Sequence, residues 1–404
     1  MVPKGWSSVQ AQDVCKSISV GVVIKPTQYY VPEGYGVKAF RSANVREGFI
    51  NDSDWVYFSH EGHAINKKSH LKTGDVLIVR TGYPGTACVV TPEFEGSNAI
   101  DIVIARPDMD KIIPEYLCAY TNSHIGKSQV LDLQGGMAQK HLNVGAYQVL
   151  KINLPPLREQ KKIAQILSTW DKAISVTEKL LANSQQQKKA LMQQLLTGQK
   201  RLLDENGVRF SGEWCTCTLS EVAHIIMGSS PKSEAYNDNG LGLPLIQGNA
   251  DIKCRVSCPR VYTSDITKEC TPGDILLSVR APVGTVALSQ HKACIGRGIS
   301  AIKSKRKMSQ SFLYQWFLWF EPKWCYLSQG STFESINSDD IKTLKLSVPN
   351  FEEQQKIAAV LSAADAEIST LEKKLACLRD EKKALMQQLL TGKRRVKVDE
   401  AVAE

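Results

Sequence analysis

Hydrophobic residues follow the same four-three spacing in two separate stretches of the chain. The first stretch runs from residue 163 to 195 and the second from 357 to 389. Such spacing, kept over several heptads, is typical of helices that pair in a coiled coil. The predicted seam positions are Ile163, Leu167, Trp170, Ile174, Leu181, Leu191 and Leu195 in the first stretch, and Ile357, Leu361, Ile368, Leu375, Leu378, Leu385 and Leu389 in the second.

Both stretches have residues typical of helix ends. Pro155, Pro156 and Glu159 stand at the start of the first, where a missing N–H is harmless and the helix dipole favours negative charge. Gly198 and Gly392 stand at the two ends, where we expect left-handed caps. Each helix should therefore span about 39 residues, which is roughly 58 Å at 1.5 Å per residue.

An internal repeat relates the two stretches. The string KKALMQQLLTG begins at Lys188 and again at Lys382, and 382 minus 188 gives an offset of 194 residues. The same offset relates 154–160 to 348–354, and such repetition defines the architecture of a chain. We predict an α+β fold: two mixed α/β domains separated by two long helices that form an antiparallel coiled coil, with pseudo-twofold symmetry. The predicted boundaries are 1–153 and 210–347 for the globular domains, and 154–209 and 348–404 for the helical segments.

The two globular domains share a scaffold of strands and glycine-bounded loops. Residues 73–80 and 272–280 each combine a turn glycine, an aspartate and an alternating apolar run, which predicts a strand leading into a loop. Arg80 and Arg280 end these runs, and this alignment gives them one scaffold position. Between such anchors the two sequences differ freely, as we expect of two domains that recognise different targets.

Length and composition are typical of a soluble protein with several domains. The 404 residues predict two to three domains, and no run reaches the ~18 apolar residues of a membrane span. The amino terminus lacks the apolar core of a signal peptide, and eleven cysteines without framework spacing fit free thiols, so we expect a cytoplasmic location. The net charge of +9 permits an acidic partner, although solubility alone explains it equally well.

The order of these parts resembles one known family. A divergent domain, the motif Leu-Pro-Pro-x-x-Glu-Gln-x-x-Ile-Ala at 154–164, a long helix ending Leu-Leu-Thr-Gly, and then the same order again are similar to the specificity subunit of type I restriction–modification systems. The resemblance covers essentially the full chain, with small departures such as Asn350 in place of Pro156. It implies two target-recognition domains, each binding one half of a bipartite, asymmetric site in double-stranded DNA.

The resemblance also implies a set of partners. The paired helices would fix the spacing of the half-sites and dock two methyltransferase subunits, through which the restriction and translocation subunits join. The complex would use S-adenosylmethionine, and ATP with Mg²⁺ for restriction. This chain itself would hold no cofactor and no metal, and it would not bind a membrane.

No catalytic site is predicted from the residues themselves. Residues 153–156 differ from the Asn-Pro-Pro-aromatic corner of adenine methyltransferases by an inserted leucine, and a strand end before a helix explains them better. Residues 126–128 end like a phosphate-binding loop but lack its first glycine. Cys254, Cys258 and Cys270 have no second matched pair that would complete a zinc site. We therefore expect a non-catalytic chain.

Candidate DNA-binding residues are polar side chains of the predicted loops. Base reading requires Arg, Lys, Asn or Gln in the major groove, whereas phosphate contacts need only basic side chains or N–H donors. Because Arg80 and Arg280 are assigned one scaffold position, we expect them to hold phosphate or structure rather than to read bases. The candidates are Arg80, Tyr83, Gln134, Gln139 and Lys140 in the first domain, and Arg280, Arg297, Lys303, Gln329 and Thr332 in the second.

Three other interpretations stay open. A freestanding two-headed DNA-binding or regulatory protein would need no methyltransferase. An enzyme with unrecognised motifs would bind a cofactor, and a coiled-coil adaptor would bind only proteins. Salt-dependent DNA binding separates the adaptor from the DNA-binding hypotheses, because counterion release makes the affinity fall with salt. Co-purification with a methyltransferase separates a specificity subunit from a freestanding protein.

Overall fold

The computed structural model describes residues 2–133, 141–324 and 335–398. Its contacts divide the chain into two compact units. Unit 1 consists of Met1–Lys179 with Lys373–Glu404, and unit 2 consists of Leu180–Glu372. Each unit therefore combines one of the predicted globular domains with half of each long helix.

The two long helices contain 40 residues each, Leu157–Leu196 and Phe351–Leu390. These lengths confirm the prediction from the repeat. Gly198 has a φ of +71° and Gly392 a φ of +70°, which is the left-handed conformation that glycine adopts without a steric penalty. The predicted glycine caps are therefore confirmed as well.

Within each unit the two helical halves run antiparallel. In unit 1, Lys382 contacts Asp171, and Arg379 donates to Glu178 at 2.6 Å. Residue numbers therefore increase along one helix in the direction in which they decrease along the other. The halves in unit 2 are ordered in the same way. There Lys188 contacts Asp365, and Ser184 donates to Glu367 at 2.9 Å. The antiparallel pairing that the sequence predicts is confirmed inside each unit.

The strands of unit 1 are short and form two four-stranded sheets and two further pairs among the described residues. In chain order they are β1 Ser7–Gln10, β2 Cys15–Val20, β3 Tyr30–Val31, β4 Gly36–Phe40, β5 Val45–Arg46, β6 Phe49–Ile50, β7 Val56–Ser59, β8 Val76–Val79, β9 Ala87–Val89, β10 Asn98–Ala99, β11 Ile102–Pro107 and β12 Lys151–Leu154. The sheet orders are β10-β4-β7-β3 and β2-β11-β8-β9, with pairs β1-β12 and β5-β6. The shorter helices are Ala11–Val14, His60–Ile65, Pro114–Asn122, His124–Leu133 and Val144–Gln148.

Unit 2 repeats this arrangement. Its strands are β13 Cys215–Thr218, β14 Ala223–Met227, β15 Tyr236–Asn237, β16 Leu243–Ile246, β17 Ile252–Lys253, β18 Val256–Ser257, β19 Val261–Thr263, β20 Glu269–Cys270, β21 Ile275–Ser278, β22 Val286–Leu288, β23 Ala293–Ile295, β24 Ile299–Ser304 and β25 Lys345–Val348. The sheet orders are β15-β19-β16-β23-β20 and β14-β24-β21-β22-β18-β17, with the pair β13-β25. The shorter helices are Leu219–Val222, Gln310–Phe320 and Ser338–Lys342.

One central strand in each unit is buried on both faces. In β8, Val76 and Ile78 belong to the core shared with the long helices, whereas Leu77 and Val79 belong to the core shared with the other sheet. Successive side chains of a strand point to opposite faces, so a continuous apolar run is expected where both faces are covered. The corresponding strand β21 divides its residues between two cores in the same way.

A buried glutamine fixes each long helix to its domain. Gln160 accepts a hydrogen bond from the backbone N–H of Ile113 at 3.0 Å and donates to the carbonyls of Lys111 and Pro155, both at 2.9 Å. Gln354 repeats this role in unit 2, where it accepts from the N–H of Ser309 at 2.8 Å. Because a buried amide must be hydrogen bonded, the glutamine sets the position of the helix start relative to the domain.

Candidate nucleic-acid interface

Three loops of unit 2 leave their strands at the same edge. Strands β16 and β23 are parallel neighbours, so the loops at 247–249 and 296–298 begin side by side. The loop that follows β21 lies at the same edge, because β21 ends beside the first residue of its antiparallel neighbour β24. Together these loops line a cleft of about 350 Å³, whose lining residues are Ser230, Tyr236, Gln247, Gly248, Asn249, Arg280, Ala281, Arg297 and Gly298.

Close backbone packing holds the cleft loops in place. The N–H of Gly296 donates to the carbonyl of Ile246 at 2.8 Å, and the N–H of Gly298 donates to the carbonyl of Gln247 at 3.1 Å. A Cβ atom at Gly298 would lie 2.3 Å from that same carbonyl oxygen, so only glycine fits there. The side chains of Arg280, Arg297 and Gln247 are consequently presented from a fixed backbone, and all three residues are exposed.

The cleft carries positive charge and amide groups. Its lining contains two arginines and no acidic residue. Among residues 2–133, 141–324 and 335–398, neither Arg280 nor Arg297 forms an ion pair, and the side-chain amide of Gln247 has no protein hydrogen-bond partner. These donors and acceptors are therefore available to a ligand with hydrogen-bonding edges and negative charge.

In unit 1, the arginine at the corresponding sheet edge is Arg80, and its side chain forms contacts within the protein. Arg80 is only 8% exposed, and its Nε donates to the carbonyl of Leu142 at 3.0 Å. The guanidinium also pairs with Asp101 and contacts the ring of His141. Arg80 therefore stabilises the junction of three segments rather than facing outward.

The structure corrects the predicted equivalence of Arg80 and Arg280. The carbonyl of Arg80 accepts from the N–H of Leu142, whereas in unit 2 it is the carbonyl of Val279 that accepts from Ile336. Leu142 and Ile336 are themselves related by the 194-residue offset. Arg80 thus corresponds to Val279.

Arg280 corresponds instead to Thr81, one position further along. Since successive positions of an extended chain point to opposite sides, the shift explains why Arg80 is buried whereas Arg280 is exposed. Residues 73–86 and 272–285 align without a gap, and this alignment also places Arg80 opposite Val279 and Thr81 opposite Arg280. Arg280 therefore cannot be assigned the structural role of Arg80.

The other predicted DNA-binding residues have different surroundings. Tyr83 is 84% exposed and lines a second cleft with Ser42, Arg46, Thr81 and other residues of unit 1. Lys303 is exposed but lies within strand β24, so its assignment to a loop was wrong. Gln134, Gln139, Lys140, Gln329 and Thr332 lie outside the described residues.

Gln247 and Asn249 were not among the candidate residues predicted from sequence. A pair of polar residues just after a mostly apolar strand is a signal for a site at a sheet edge. In unit 1, Arg41 stands where unit 2 has Gln247, because each N–H is bonded to the side chain of the short helical turn that follows. Arg41 donates to Asp54 at 3.0 Å, so this guanidinium too is held by the protein.

All fourteen predicted seam residues are buried or half-buried. The most enclosed include Ile163, Leu167, Ile357 and Leu361, each at most 3% exposed. Lys188 and Lys382 interrupt the apolar pattern, and each pairs with an aspartate of the other helix within its own unit. Partner binding by the outer faces of these helices stays a prediction.

Buried glutamates at the helix starts also carry ion pairs. Arg201 donates to both carboxylate oxygens of Glu353, at 2.6 and 2.7 Å, and lies 5.9 Å from the ring of Trp214. The hydrogen bonds to this carboxylate raise the pKa of Arg201. The corresponding bonds to Glu159 raise the pKa of Arg395 in unit 1. These arginines are therefore structural.

Neither a metal cluster nor a membrane helix occurs in the described parts of the chain. No three His, Cys, Asp or Glu side chains come together there as metal ligands. In the same residues, no helix has the length and apolar character needed to cross a membrane.

Comparisons with known proteins cover nearly the whole chain. The family described as the type I restriction modification DNA specificity domain matches residues 3–183 and 211–378. A protein of Methanocaldococcus jannaschii assigned as the MjaX specificity subunit of a type I restriction enzyme is 32% identical over 98% of this chain and 95% of its own. The MjaVIII specificity subunit of the same organism is 26% identical over 98% of this chain and 94% of its own.

Solved structures show the same fold. A chain from a structure of the assembly and conformational transition of a type I R-M system has a TM-score of 0.61 and 25% identity, covering 98% of this chain and all of that chain. The S subunit of a type I system from M. genitalium has a TM-score of 0.62 over 96% of both chains. At 14% identity, the second comparison supports the fold alone.

Proposed function

The chain belongs to the family of type I restriction–modification specificity subunits, and from this premise we propose that it recognises DNA for a larger complex without catalysing a reaction itself. Each unit binds one half of a bipartite, asymmetric site in double-stranded DNA. Methyltransferase subunits bind this chain, and restriction subunits join through them. The partner subunits use S-adenosylmethionine for methylation, and ATP with Mg²⁺ for restriction.

One observation carries this proposal: the two units repeat one scaffold but differ at the same loop edge. Unit 2 presents Arg280, Arg297 and Gln247 there, whereas unit 1 uses Arg80 and Arg41 for internal ion pairs. A shared scaffold with different exposed donors is what two recognition modules for unlike sequences require, because base edges are distinguished by their patterns of donors and acceptors.

The long helices suit the roles of spacer and docking surface. Each has 40 residues, or roughly 60 Å at 1.5 Å per residue, which is longer than a globular fold of this size requires. Their identical strings at 188–198 and 382–392 give each unit one copy of the same surface. Two equal surfaces support the binding of two identical methyltransferase subunits.

Co-expression of the chain with a cognate methyltransferase subunit tests the proposal. We expect a stable complex that methylates a bipartite DNA site. Its DNA affinity should fall steeply as salt rises from 50 to about 200 mM, since phosphate contacts release counterions. A chain that binds specific DNA alone but no methyltransferase would instead support the freestanding DNA-binding protein. A chain that binds a methyltransferase but no DNA would contradict the recognition role.

A further inference from the structure

We propose that the half-site bound by unit 2 contains guanine bases read by Arg280 and Arg297, next to an adenine read by Gln247. This inference rests on the proposed function, since it names the bases that one recognition cleft takes. It also assigns unit 1 a different means of recognition, because Thr81 and Asp101 stand there in place of Arg280 and Arg297.

The two arginines meet the requirements for reading bases. A guanidinium can donate two hydrogen bonds to O6 and N7 of guanine, provided that it is not already bonded to a carboxylate. In the part of unit 2 that the structure describes, neither Arg280 nor Arg297 has such a partner, and both project from loops around one cleft. In the same cleft, Gln247 exposes an amide, which is the group that pairs with N6 and N7 of adenine.

The backbone beneath these side chains is fixed by hydrogen bonds. The N–H of Gly296 donates to the carbonyl of Ile246 at 2.8 Å, and the N–H of Gly298 donates to the carbonyl of Gln247 at 3.1 Å. These backbone hydrogen bonds connect the loop of Arg297 directly to the loop of Gln247. Because the two backbones are hydrogen bonded to each other, the distance between the Cα atoms of Arg297 and Gln247 stays constant. Constant spacing is needed for sequence reading, because discrimination depends on the geometry of each pair of hydrogen bonds.

The loop of unit 1 that corresponds to the Arg297 loop carries an aspartate. Ile100 and Gly296 are equivalent, since their N–H groups bond the carbonyls of Phe40 and Ile246, each at 2.8 Å. The next residue is Asp101 in unit 1 and Arg297 in unit 2. Asp101 pairs with Arg80 and so repels the acidic DNA backbone less than a free aspartate would.

Unit 1 therefore cannot read guanine from this position. Its Arg80 is bonded to a carbonyl and a carboxylate, and Thr81 stands where unit 2 has Arg280. The cleft beside that threonine exposes Tyr83, an aromatic residue without charge. Its arginine, Arg46, donates to the backbone carbonyls of Ser42 and Val45. We infer that the two half-sites differ in guanine content at equivalent positions.

The competing explanation for exposed arginines is contact with phosphates. Loss of a phosphate contact weakens binding to all sequences alike, and the contact is largely retained when lysine replaces arginine. A bidentate guanine contact is weakened in the lysine variant, because an ammonium group can donate to O6 and N7 but lacks the planar fork of a guanidinium. The two explanations are therefore separable by comparing Arg→Lys with Arg→Gln at the same position.

The experiment uses the chain assembled with methyltransferase subunits and a duplex library randomised at both half-sites. The variants are Arg280→Lys, Arg280→Gln, Arg297→Lys, Arg297→Gln and Gln247→Ala. We expect each Arg→Gln variant to lose the preference for guanine at one position, by roughly 5- to 150-fold in relative affinity, and each Arg→Lys variant to lose part of it. Gln247→Ala should lose the preference for adenine at a position in the same half-site. The other half-site should stay unchanged in every variant.

Arg306→Gln is the matched control. Arg306 is an exposed arginine of unit 2 that follows the far end of β24, away from the cleft. It should leave both half-sites unchanged. Melting temperature and co-purification with the methyltransferase establish that each variant is folded and assembled.

Three results would overturn the inference. The first is an equal loss of affinity for all DNA sequences in the Arg→Gln variants that is absent from the Arg→Lys variants. The second is a changed base preference in the other half-site, and the third is an unchanged base preference in arginine variants that are folded. If the wild-type complex itself methylates no specific sequence, the proposed function fails before this inference is reached. The two failures are thus distinguishable from the wild-type control alone.

Discussion

Arg395 donates hydrogen bonds to both carboxylate oxygens of Glu159, at 3.0 and 2.5 Å, although the two residues are 236 positions apart. It also donates to the carbonyl of Lys4 at 2.9 Å and lies 5.7 Å from the ring of Trp6. The segment after the second long helix is thereby joined to the start of the first and to the amino terminus. All of these contacts lie within unit 1.

Arg395→Ala should destabilise unit 1. The side chain of Glu159 is only 11% exposed, and without the arginine it keeps a single donor, the indole of Trp6 at 3.2 Å. We expect the free energy of unfolding to fall by about 1–2 kcal/mol, since hydrogen bonds to a charged group are lost while part of the arginine is already solvated. Denaturant unfolding measures the change.

Arg394→Ala is the control for that measurement. Arg394 is exposed, and its side chain forms no ion pair in the part of the chain that the structure describes. This variant should change the free energy of unfolding by less than about 0.5 kcal/mol. Equal effects of the two variants would show that the pair with Glu159 contributes nothing to stability.

Arg80→Ala should reduce stability without changing the recognised bases. Its loss leaves the carbonyl of Leu142 without this donor and Asp101 without its cation, which should cost about 2 kcal/mol. Lys16→Ala, at an exposed strand position, is the neutral control. Denaturant unfolding and methylation mapping together test this. An altered half-site in a fully stable Arg80→Ala complex would contradict a structural role.

The helices could be predicted from sequence because two independent signals agree. The four-three spacing and the identical strings both define them, and Gly198 and Gly392 define their ends. The partners of Lys188 and Lys382 were not predicted, because ion pairs between helices depend on the axial register. A register that places each lysine beside an aspartate can be read only from the packed structure.

The recognition edges could be predicted only in part. The strand before Arg280 was recognised, but an eight-residue run, 73–80, was matched with a nine-residue run, 272–280, because both end in arginine. A gapless alignment of 73–86 with 272–285 places Arg80 opposite Val279. Lys303 was assigned to a loop because β24 ends in a basic, polar run that looks like a turn. Gln247 was overlooked because it directly follows the apolar strand β16, Leu243–Ile246.

The contacts of the carboxyl-terminal segment predict tolerance to circular permutation. Besides the contact of Arg395 with Lys4, Gly392 lies close to Pro3, since a Cβ atom there would be 2.2 Å from the proline Cγ. A short flexible linker from Glu404 to Met1, with the chain opened near Asn206, should leave folding and recognition intact. Asn206 lies in an exposed turn.

Size-exclusion chromatography with a methyltransferase subunit and DNA-binding assays check the permuted chain. Opening the chain at Leu277, inside the buried strand β21, is the control that should abolish folding. If the Asn206 permutant fails to assemble although it is expressed, the contacts of Gly392 with Pro3 and of Arg395 with Lys4 do not suffice for a linked chain to fold.

Insertion of one heptad after Glu178 and another after Glu372 should lengthen the preferred spacer. The insertions keep the seam in register and add about 10.5 Å, or roughly three base pairs at 3.4 Å each. Three base pairs rotate the duplex by about 100°, whereas a heptad rotates the supercoil by only ~25°. The mismatch must be absorbed by deforming DNA or protein, so we expect weaker binding.

Methylation mapping of the assembled variant measures the spacer. Insertion into one helix alone is the control, and it should disrupt the seam and the assembly. An assembled double-insertion complex that keeps the original spacer would show that the helices are a docking surface and not a ruler.

Exchange of residues 1–153 for the corresponding domain of another family member tests the central claim most directly. The measurement is methylation mapping of the assembled chimera beside the wild-type complex. Because unit 1 and unit 2 carry different side chains at their recognition edges, we predict that one half-site changes to that of the donor protein and the other stays the same. A chimera that assembles but changes both half-sites together, or neither, would contradict separate recognition by the two units.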